Sequence, residues 1–125
     1  MTHLAGKRVL ITGGAGGVGR ATAAQMLAAG ARVLIADREG ADFEAVKAGA
    51  GEIETVAADL STSAGIGQMF ARVDEWLGGL DILVACAGVG SGPLMEMAEP
   101  DWRYVIESNL LSYVACTQGA IERIR

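Results

Sequence analysis

The residues best suited to chemistry lie in a glycine-rich loop near the start of the chain. Gly14, Gly16 and Gly19 have the spacing G-x-G-x-x-G, which is typical of loops that bind dinucleotides. Glycine lets the backbone approach a ligand closely and adopt positive φ angles. A helix that follows such a loop offers unpaired N–H groups and a positive dipole end, so the loop predicts a pyrophosphate site.

The neighbours of this loop support that interpretation over a merely flexible turn. The apolar run 9–11 predicts a strand before it, and residues 21–27 predict a helix after it. A nucleotide-hydrolysing P-loop is a poor match, because Arg20 and Ala21 stand where that motif requires lysine and a hydroxyl residue.

Asp37 is the acid that the dinucleotide motif requires. It follows the predicted strand 32–36 and lies eighteen residues after Gly19, close to the roughly 20 expected for the carboxylate that binds the adenosine ribose. A carboxylate there would repel a 2′-phosphate, which favours NAD over NADP. Arg38 could partly accommodate such a phosphate, and the alternative is that Asp37 is only a turn residue.

The composition is that of one soluble domain. Of 125 residues, 51% are hydrophobic and 20% charged, and the net charge of −5 offers no basic stripe for nucleic acid. No apolar run is long enough to span a membrane and no signal peptide precedes Val9, so we expect a cytoplasmic protein with no membrane partner. His3 is the only histidine, and we expect no metal site. Cys86 and Cys116 lack C-x-x-C spacing and are predicted to be buried free thiols.

Helices and strands are predicted to alternate along the rest of the chain. Residues 41–48 predict a helix, 53–58 a strand, and 81–85 a strand buried on both faces. A helix after Ser61 and a long helix from Pro100 each have one apolar face. The first face comprises Ile66, Met69, Phe70, Val73, Trp76 and Leu77, and the second Val105, Ile106, Leu110, Leu111, Val114 and Ala115. This alternation predicts an α/β fold with a parallel sheet.

A second motif overlaps the first. Thr12, Gly13, Gly17 and Gly19 form T-G-x-x-x-G-x-G, and with it the whole chain resembles the short-chain dehydrogenase/reductase family. The resemblance implies a Rossmann-type doubly wound parallel sheet with strand order 3-2-1-4 and a ligand crevice between strands 1 and 4. It also implies that residues 1–125 form a dinucleotide-binding domain that is incomplete on its C-terminal side, truncated after the fourth strand and its following helix.

The resemblance assigns roles to further residues. Asp59 and Leu60 correspond to the pair that contacts the adenine ring, and Asn109 to a catalytic asparagine that helps hold a water in a proton relay. The segment 85–88 reads Ala-Cys-Ala-Gly where the family has N-N-A-G, so both asparagines are absent. The cofactor-binding residues implied are Thr12, Gly13, Gly14, Ala15, Gly17, Val18, Gly19, Asp37, Arg38, Asp59, Leu60, Cys86, Ala87 and Gly88.

The family's catalytic serine and Tyr-x-x-x-Lys pair have no counterpart here. The tyrosines are Tyr104 and Tyr113, and each is followed four residues later by Ser108 or Thr117. We therefore expect the cofactor half of an NAD(H)-dependent oxidoreductase for an alcohol/carbonyl pair, inactive alone and acting on substrate only in a longer form. The alternatives are a non-catalytic NAD-binding or redox-sensing module, and a structural partner that completes another chain's sheet.

The predicted fourth strand and the last helix favour self-association. Without a following strand, the strand 81–85 has one row of unpaired backbone groups, and the last helix has an apolar face with less sheet to cover. We expect a homodimer or larger assembly formed through these two elements.

Overall fold

Strands and helices alternate in the computed structural model, which describes residues 3–49, 51–90 and 92–124. The strands are β1 (Arg8–Thr12), β2 (Arg32–Asp37), β3 (Ile53–Ala57) and β4 (Ile82–Ala85). The helices are α1 (Gly17–Ala28), α2 (Phe43–Lys47), α3 (Ser63–Arg72), α4 (Glu99–Ile106) and α5 (Ser112–Ile124). A π-helical turn at Val73–Leu77 extends α3, a 3₁₀ turn covers Leu94–Glu96, and a second π-helical turn at Glu107–Leu111 joins α4 to α5.

The four strands form one parallel sheet with the order β3-β2-β1-β4, which confirms the predicted topology. Thr12 at the end of β1 lies opposite Ala36 in β2 and Ala85 in β4. The carboxyl ends of these strands therefore meet at one edge of the sheet, where the glycine loop leaves β1. The strand order reverses at this edge, which is where open α/β sheets bind ligands.

Each face of the sheet is covered by its own hydrophobic core, as a doubly wound fold requires. Leu10 and Leu34 point to one face, where they pack with α3 and α5. Val33 and Ile35 point to the other face, where they pack with α1 and α2. The predicted apolar face of α3 and its π-helical turn is confirmed, with Met69, Phe70, Val73 and Leu77 buried and Ile66 and Trp76 packed against the same core.

Four predicted elements differ in detail. The α2 helix is shorter than 41–48, because Asp42 caps its first turn by accepting from Ala45 N. The strand predicted over 53–58 ends one residue early, and the long helix from Pro100 is interrupted by the π-helical turn. The β4 strand was predicted to be buried on both faces and is only half-buried, because it forms an edge of the described sheet.

We call the continuous helical stretch from α4 to α5 the last helix, and it leaves much of its apolar face uncovered. Leu110 is 57% exposed, and Ile106, Leu111 and Val114 are also exposed. Cys116 and Ala120, by contrast, are buried against α3 and the sheet. Within the described part of the chain, no helix combines the length and the apolar character needed to cross a bilayer.

Candidate cofactor site

Three glycines of this region, Gly13, Gly14 and Gly19, are required by close packing. Gly13 has φ +68°, and a Cβ atom there would lie 2.7 Å from both Ala87 N and Cys86 O. A Cβ on Gly14 would collide with the Ile35 side chain, and one on Gly19 with Gly13 O. The loop therefore lies directly against the chain that follows β4, and the start of α1 lies directly against the loop.

Gly17, the first residue of α1, faces open space instead. A Cβ on Gly17 would meet nothing within 4 Å. Gly16 is the N-cap of α1, no side chain caps this end of the helix, and its first turn contains no acidic residue. The first N–H groups of a helix have no partner within the helix, so this end of α1 presents donors and a positive dipole to a ligand.

Asp37 connects the end of β2 to the glycine loop. Its Oδ2 accepts a hydrogen bond from Ala15 N at 3.1 Å, and its Oδ1 accepts from Arg38 N at 2.8 Å. These bonds hold the carboxylate beside the loop. Its position at the end of the second strand is the one predicted from the sequence.

A cavity of about 350 Å³ lies at the carboxyl ends of the strands, at the edge of the sheet where the glycine loop leaves β1. Gly16 lines it together with nine of the predicted cofactor residues. These are Gly13, Ala15, Asp37, Arg38, Asp59, Leu60, Cys86, Ala87 and Gly88. The remaining predicted residues, which do not line the cavity, are Thr12, Gly14, Gly17, Val18, Gly19 and Asn109. Its size lies within the range of small-molecule sites.

Two of those remaining residues brace the walls of the cavity. Thr12 is 2% exposed, and its Oγ1 accepts from Ala87 N at 3.3 Å, which ties the end of β1 to the loop after β4. Asn109 accepts from Val89 N at 2.7 Å and donates to Val89 O at 2.9 Å. Its side chain therefore holds the same loop against the second π-helical turn.

Asp59 is held at the far side of the cavity by its own turn. Its Oδ1 accepts from Ser61 Oγ at 2.6 Å and from Ser61 N at 3.0 Å, and these bonds lower the pKa of the Asp59 carboxyl. The start of α3 approaches so closely that a Cβ on Gly65 would collide with Asp59 O. The site thus carries a second carboxylate in a fixed position.

The two cysteines have different environments, which corrects the prediction that both are buried. Cys116 is buried in the core, and burial raises the pKa of its thiol to about 11. Cys86 is only half-buried, because it lies at the edge of the cavity after β4. Both thiols are free.

Eight further lining residues were not predicted from the sequence, and three of them lie on one side of the cavity. Val89, Tyr104 and Ser108 complete the wall on the side of β4 and α4. Ser108 immediately precedes Asn109, but no local pattern indicates that a helical serine or tyrosine faces a ligand cavity.

Comparison with known proteins decides the family. A family model described as short chain dehydrogenase matches residues 7–125. The chain belongs to this family. A probable oxidoreductase from Streptomyces lividans is 39% identical over 98% of this chain, which corresponds to 42% of that protein. A rhamnolipids biosynthesis 3-oxoacyl-[acyl-carrier-protein] reductase from Pseudomonas aeruginosa is 35% identical over 98% of this chain and 49% of its own length.

Solved structures of short-chain dehydrogenases have the same fold. One from Serratia marcescens superposes with a TM-score of 0.88 and 31% identity, covering 98% of this chain and 52% of that chain. One from Mycobacterium smegmatis has a TM-score of 0.85 and 31% identity, covering 98% and 54%. The chain thus spans about half the length of the relatives that it matches.

The family and the Rossmann-type fold imply a nicotinamide cofactor, and the described residues fit one. Gly13 and Gly19 shape a loop in which a side chain would collide with backbone. The uncapped start of α1 suits a pyrophosphate, and the Asp37 carboxylate suits ribose hydroxyls. These features lie at one edge of the sheet, around one cavity.

Proposed function

We propose that this chain is the cofactor-binding part of an NAD(H)-dependent oxidoreductase that acts on an alcohol/carbonyl pair. The observation that carries the proposal is the Asp37 carboxylate, which is held beside the glycine loop by its bond from Ala15 N. Two carboxylate oxygens in this position can accept from two ribose hydroxyls, and their charge opposes a 2′-phosphate. When bound, the nicotinamide ring supplies hydride transfer.

The other site residues have complementary roles in this proposal. The amides at the start of α1 bind the pyrophosphate, and Asp59 and Leu60 form the wall beside the adenine base. Residues 86–88 contact the cofactor through main-chain groups, which is why the absence of the family's two asparagines is compatible with binding. The full proposed set is Thr12, Gly13, Gly14, Ala15, Gly17, Val18, Gly19, Asp37, Arg38, Asp59, Leu60, Cys86, Ala87 and Gly88.

Asn109 is the proposed catalytic residue of this half, as the asparagine of a proton relay. Its two bonds to the main chain of Val89 fix its position relative to the end of β4. The 125 residues contain no Tyr-x-x-x-Lys pair, and a positioned general acid/base contributes roughly 10²–10⁴ in rate. The proposed activity therefore belongs to a longer form, and the 125-residue chain alone is expected to be inactive. The cytoplasm is the proposed location, in keeping with the two free thiols.

Isothermal titration calorimetry with NAD(H) and NADP(H) tests the proposed cofactor. We expect the parent chain to bind NAD(H) more tightly, and Asp37→Ala to weaken NAD(H) about tenfold, because charge-assisted hydrogen bonds are lost. Asp37→Asn retains an oxygen that can accept from Ala15 N, so it separates the ribose contact from the support of the loop. Asp101→Ala removes an exposed carboxylate in α4 and is the control, with unchanged affinity expected. Tighter binding of NADP(H) by the parent chain would overturn the assignment.

A further inference from the structure

Glu54 is the second residue of β3, which is an edge strand of the sheet. The order β3-β2-β1-β4 places β2 on one side of β3, and no described strand lies on the other side. The main-chain groups of successive residues in such a strand point alternately towards its neighbour and away from it. Ala58 N donates to Asp37 O at the end of β2, so Thr55 N, three residues earlier, points away from β2. A free row of such groups can pair with a strand of another chain.

The Glu54 carboxylate covers this free edge. Its Oε1 accepts from Thr55 N at 2.9 Å, so an outward-facing amide already has a partner. The same oxygen lies 3.0 Å from Lys47 Nζ in α2, and Oε2 lies 3.0 Å from Arg72 Nη2 at the end of α3. The bond from Thr55 N and the contact with Lys47 lower the pKa of the Glu54 carboxyl. Because α2 and α3 cover opposite faces of the sheet, the carboxylate is held over the edge from both faces.

The two edges of the sheet differ in this respect. The β3 strand reads Ile-Glu-Thr-Val-Ala and contains a charged residue, whereas β4 reads Ile-Leu-Val-Ala and contains none. A strand that paired with β3 would have to take the charges of Glu54, Lys47 and Arg72 out of water or separate them, and both changes are unfavourable. Charged side chains on edge strands are one of the ways in which natural sheets avoid pairing with other chains.

We propose that Glu54, held by Lys47 and Arg72, prevents β3 from pairing with a strand of another chain. An incoming strand can reach the main chain of β3 only after the carboxylate has left Thr55 N and both cations. This arrangement leaves β4 as the edge at which the sheet can be extended.

Light scattering on a sizing column, at matched concentrations, tests this role. Glu54→Val removes the carboxylate and leaves a residue that strands favour. We expect its assemblies to have about twice the mass of those of the parent chain or more, because each gains a second edge at which another can bind. Glu75→Val is the matched control. It makes the same change at a residue that also pairs with Arg72, at 2.9 Å, but lies in the π-helical turn after α3, and it should assemble like the parent chain.

A milder variant keeps the test independent of folding. Glu54→Gln retains the length of the side chain and an oxygen that can accept from Thr55 N, but it loses the charge that holds Lys47 and Arg72. We expect it to remain folded, as measured by circular dichroism, and to show a smaller increase in mass. Should Glu54→Val fail to fold, the mass of Glu54→Gln decides between the same outcomes.

Hydrogen–deuterium exchange measured by mass spectrometry locates the new contact. In the larger assemblies, peptides that contain residues 53–57 should exchange more slowly than in the parent chain, because their outward-facing amides gain partners. Folded Glu54 variants with the mass of the parent chain would overturn the inference, and so would larger assemblies in which 53–57 exchange as fast as before. An equal increase in mass for Glu75→Val would also overturn it, because association would then follow the change in charge rather than the edge of β3.

Discussion

At the scale of residues, two glycines of one loop serve different purposes. Gly13 has a positive φ and backbone atoms of Ala87 and Cys86 where a Cβ would stand, so it is required by the fold itself. Gly17 is the first residue of α1, and a Cβ atom on it would have no atom within 4 Å. In the proposed function the pyrophosphate binds in the space beside Gly17, so we expect this glycine to be required by the ligand.

Substitution of each glycine by alanine should separate these purposes. We expect Gly13→Ala to lower the melting temperature, because the left-handed conformation and the close contact with Ala87 both disfavour a side chain. Gly17→Ala should keep or slightly raise the melting temperature, by the helix preference of alanine of up to about 1 kcal/mol, while ADP-ribose binding falls at least tenfold. Thermal melting and calorimetry on both variants provide the measurements. Unchanged ADP-ribose affinity in Gly17→Ala would contradict the proposed role of the loop.

The individual site residues were predictable to the extent that their roles depend on local spacing. The glycines and Asp37 have fixed separations along the chain, so the motif alone indicated them. The bonds of Thr12 to Ala87 and of Asn109 to Val89 join residues 75 and 20 positions apart. Such contacts depend on how strands and helices assemble, and no local pattern specifies them. The same holds for Ser108, whose buried hydroxyl has no hydrogen-bond partner among the described residues.

At the scale of elements, an ion pair supports the junction between β1 and β4. Arg8 Nε lies 3.1 Å from Asp81 Oδ2, Arg8 Nη2 donates to Asp81 Oδ1 at 3.2 Å, and Arg8 N donates to Asp81 Oδ2 at 2.9 Å. The hydrogen bonds from Arg8 lower the pKa of the Asp81 carboxyl from 3.8 to about 2. The two strands that flank the ligand crevice are thus connected at their starting ends, opposite the site.

The stability of the folded chain should therefore decrease in acid as the Asp81 carboxylate becomes protonated. A carboxyl whose pKa is lower in the folded state stabilises the fold above its unfolded pKa, and this contribution is lost as the pH falls from 3.8 towards about 2. We expect the melting temperature of the parent chain to fall more steeply across this interval than that of Asp81→Asn. Asp101→Asn, at an exposed position in α4, is the control and should follow the parent chain. Parallel curves for the parent chain and Asp81→Asn would show that the ion pair does not contribute.

The π-helical turn within the last helix is a feature that the sequence pattern did not predict. The apolar spacing after Pro100 fits a continuous helix, and the chain does remain helical, but it passes through a π-helical turn at Glu107–Leu111. Insertions of this kind often occur at functional sites. The turn contains Ser108 and Asn109, and the bonds of Asn109 to Val89 are contacts that the helical pattern cannot reveal.

At the scale of the whole molecule, the fold was predictable because several independent features of the sequence indicate the same fold. Apolar runs specify buried strands, helical spacing specifies the faces that cover the sheet, and parallel βαβ crossovers are right-handed in nearly all folds. The sheet order follows the family pattern. The sequence also indicated that the last helix has less sheet to cover, and Leu110, Leu111 and Val114, which fit a core-facing pattern, are exposed.

This uncovered surface supports the prediction of self-association. No described strand pairs with β4 on the side away from β1, so that side has backbone donors and acceptors available to another chain. The exposed apolar residues of the last helix are Tyr104, Ile106, Leu110, Leu111, Tyr113, Val114, Ile121 and Ile124. A second copy, related by a two-fold axis, could cover both features with the same surface of each chain.

We expect the 125-residue chain to form a homodimer or larger assembly, measured by light scattering on a sizing column across a wide range of dilution. Leu110→Glu places a charge in the apolar surface, and burial of an unpaired charge is unfavourable, so it should shift the population towards monomer. Val18→Glu introduces the same charge at a residue of α1 that is 73% exposed and should leave the assembly unchanged. A folded monomer at every concentration of the parent chain would contradict this prediction. Equal effects of the two substitutions would instead mean that association depends on net charge rather than on the last helix.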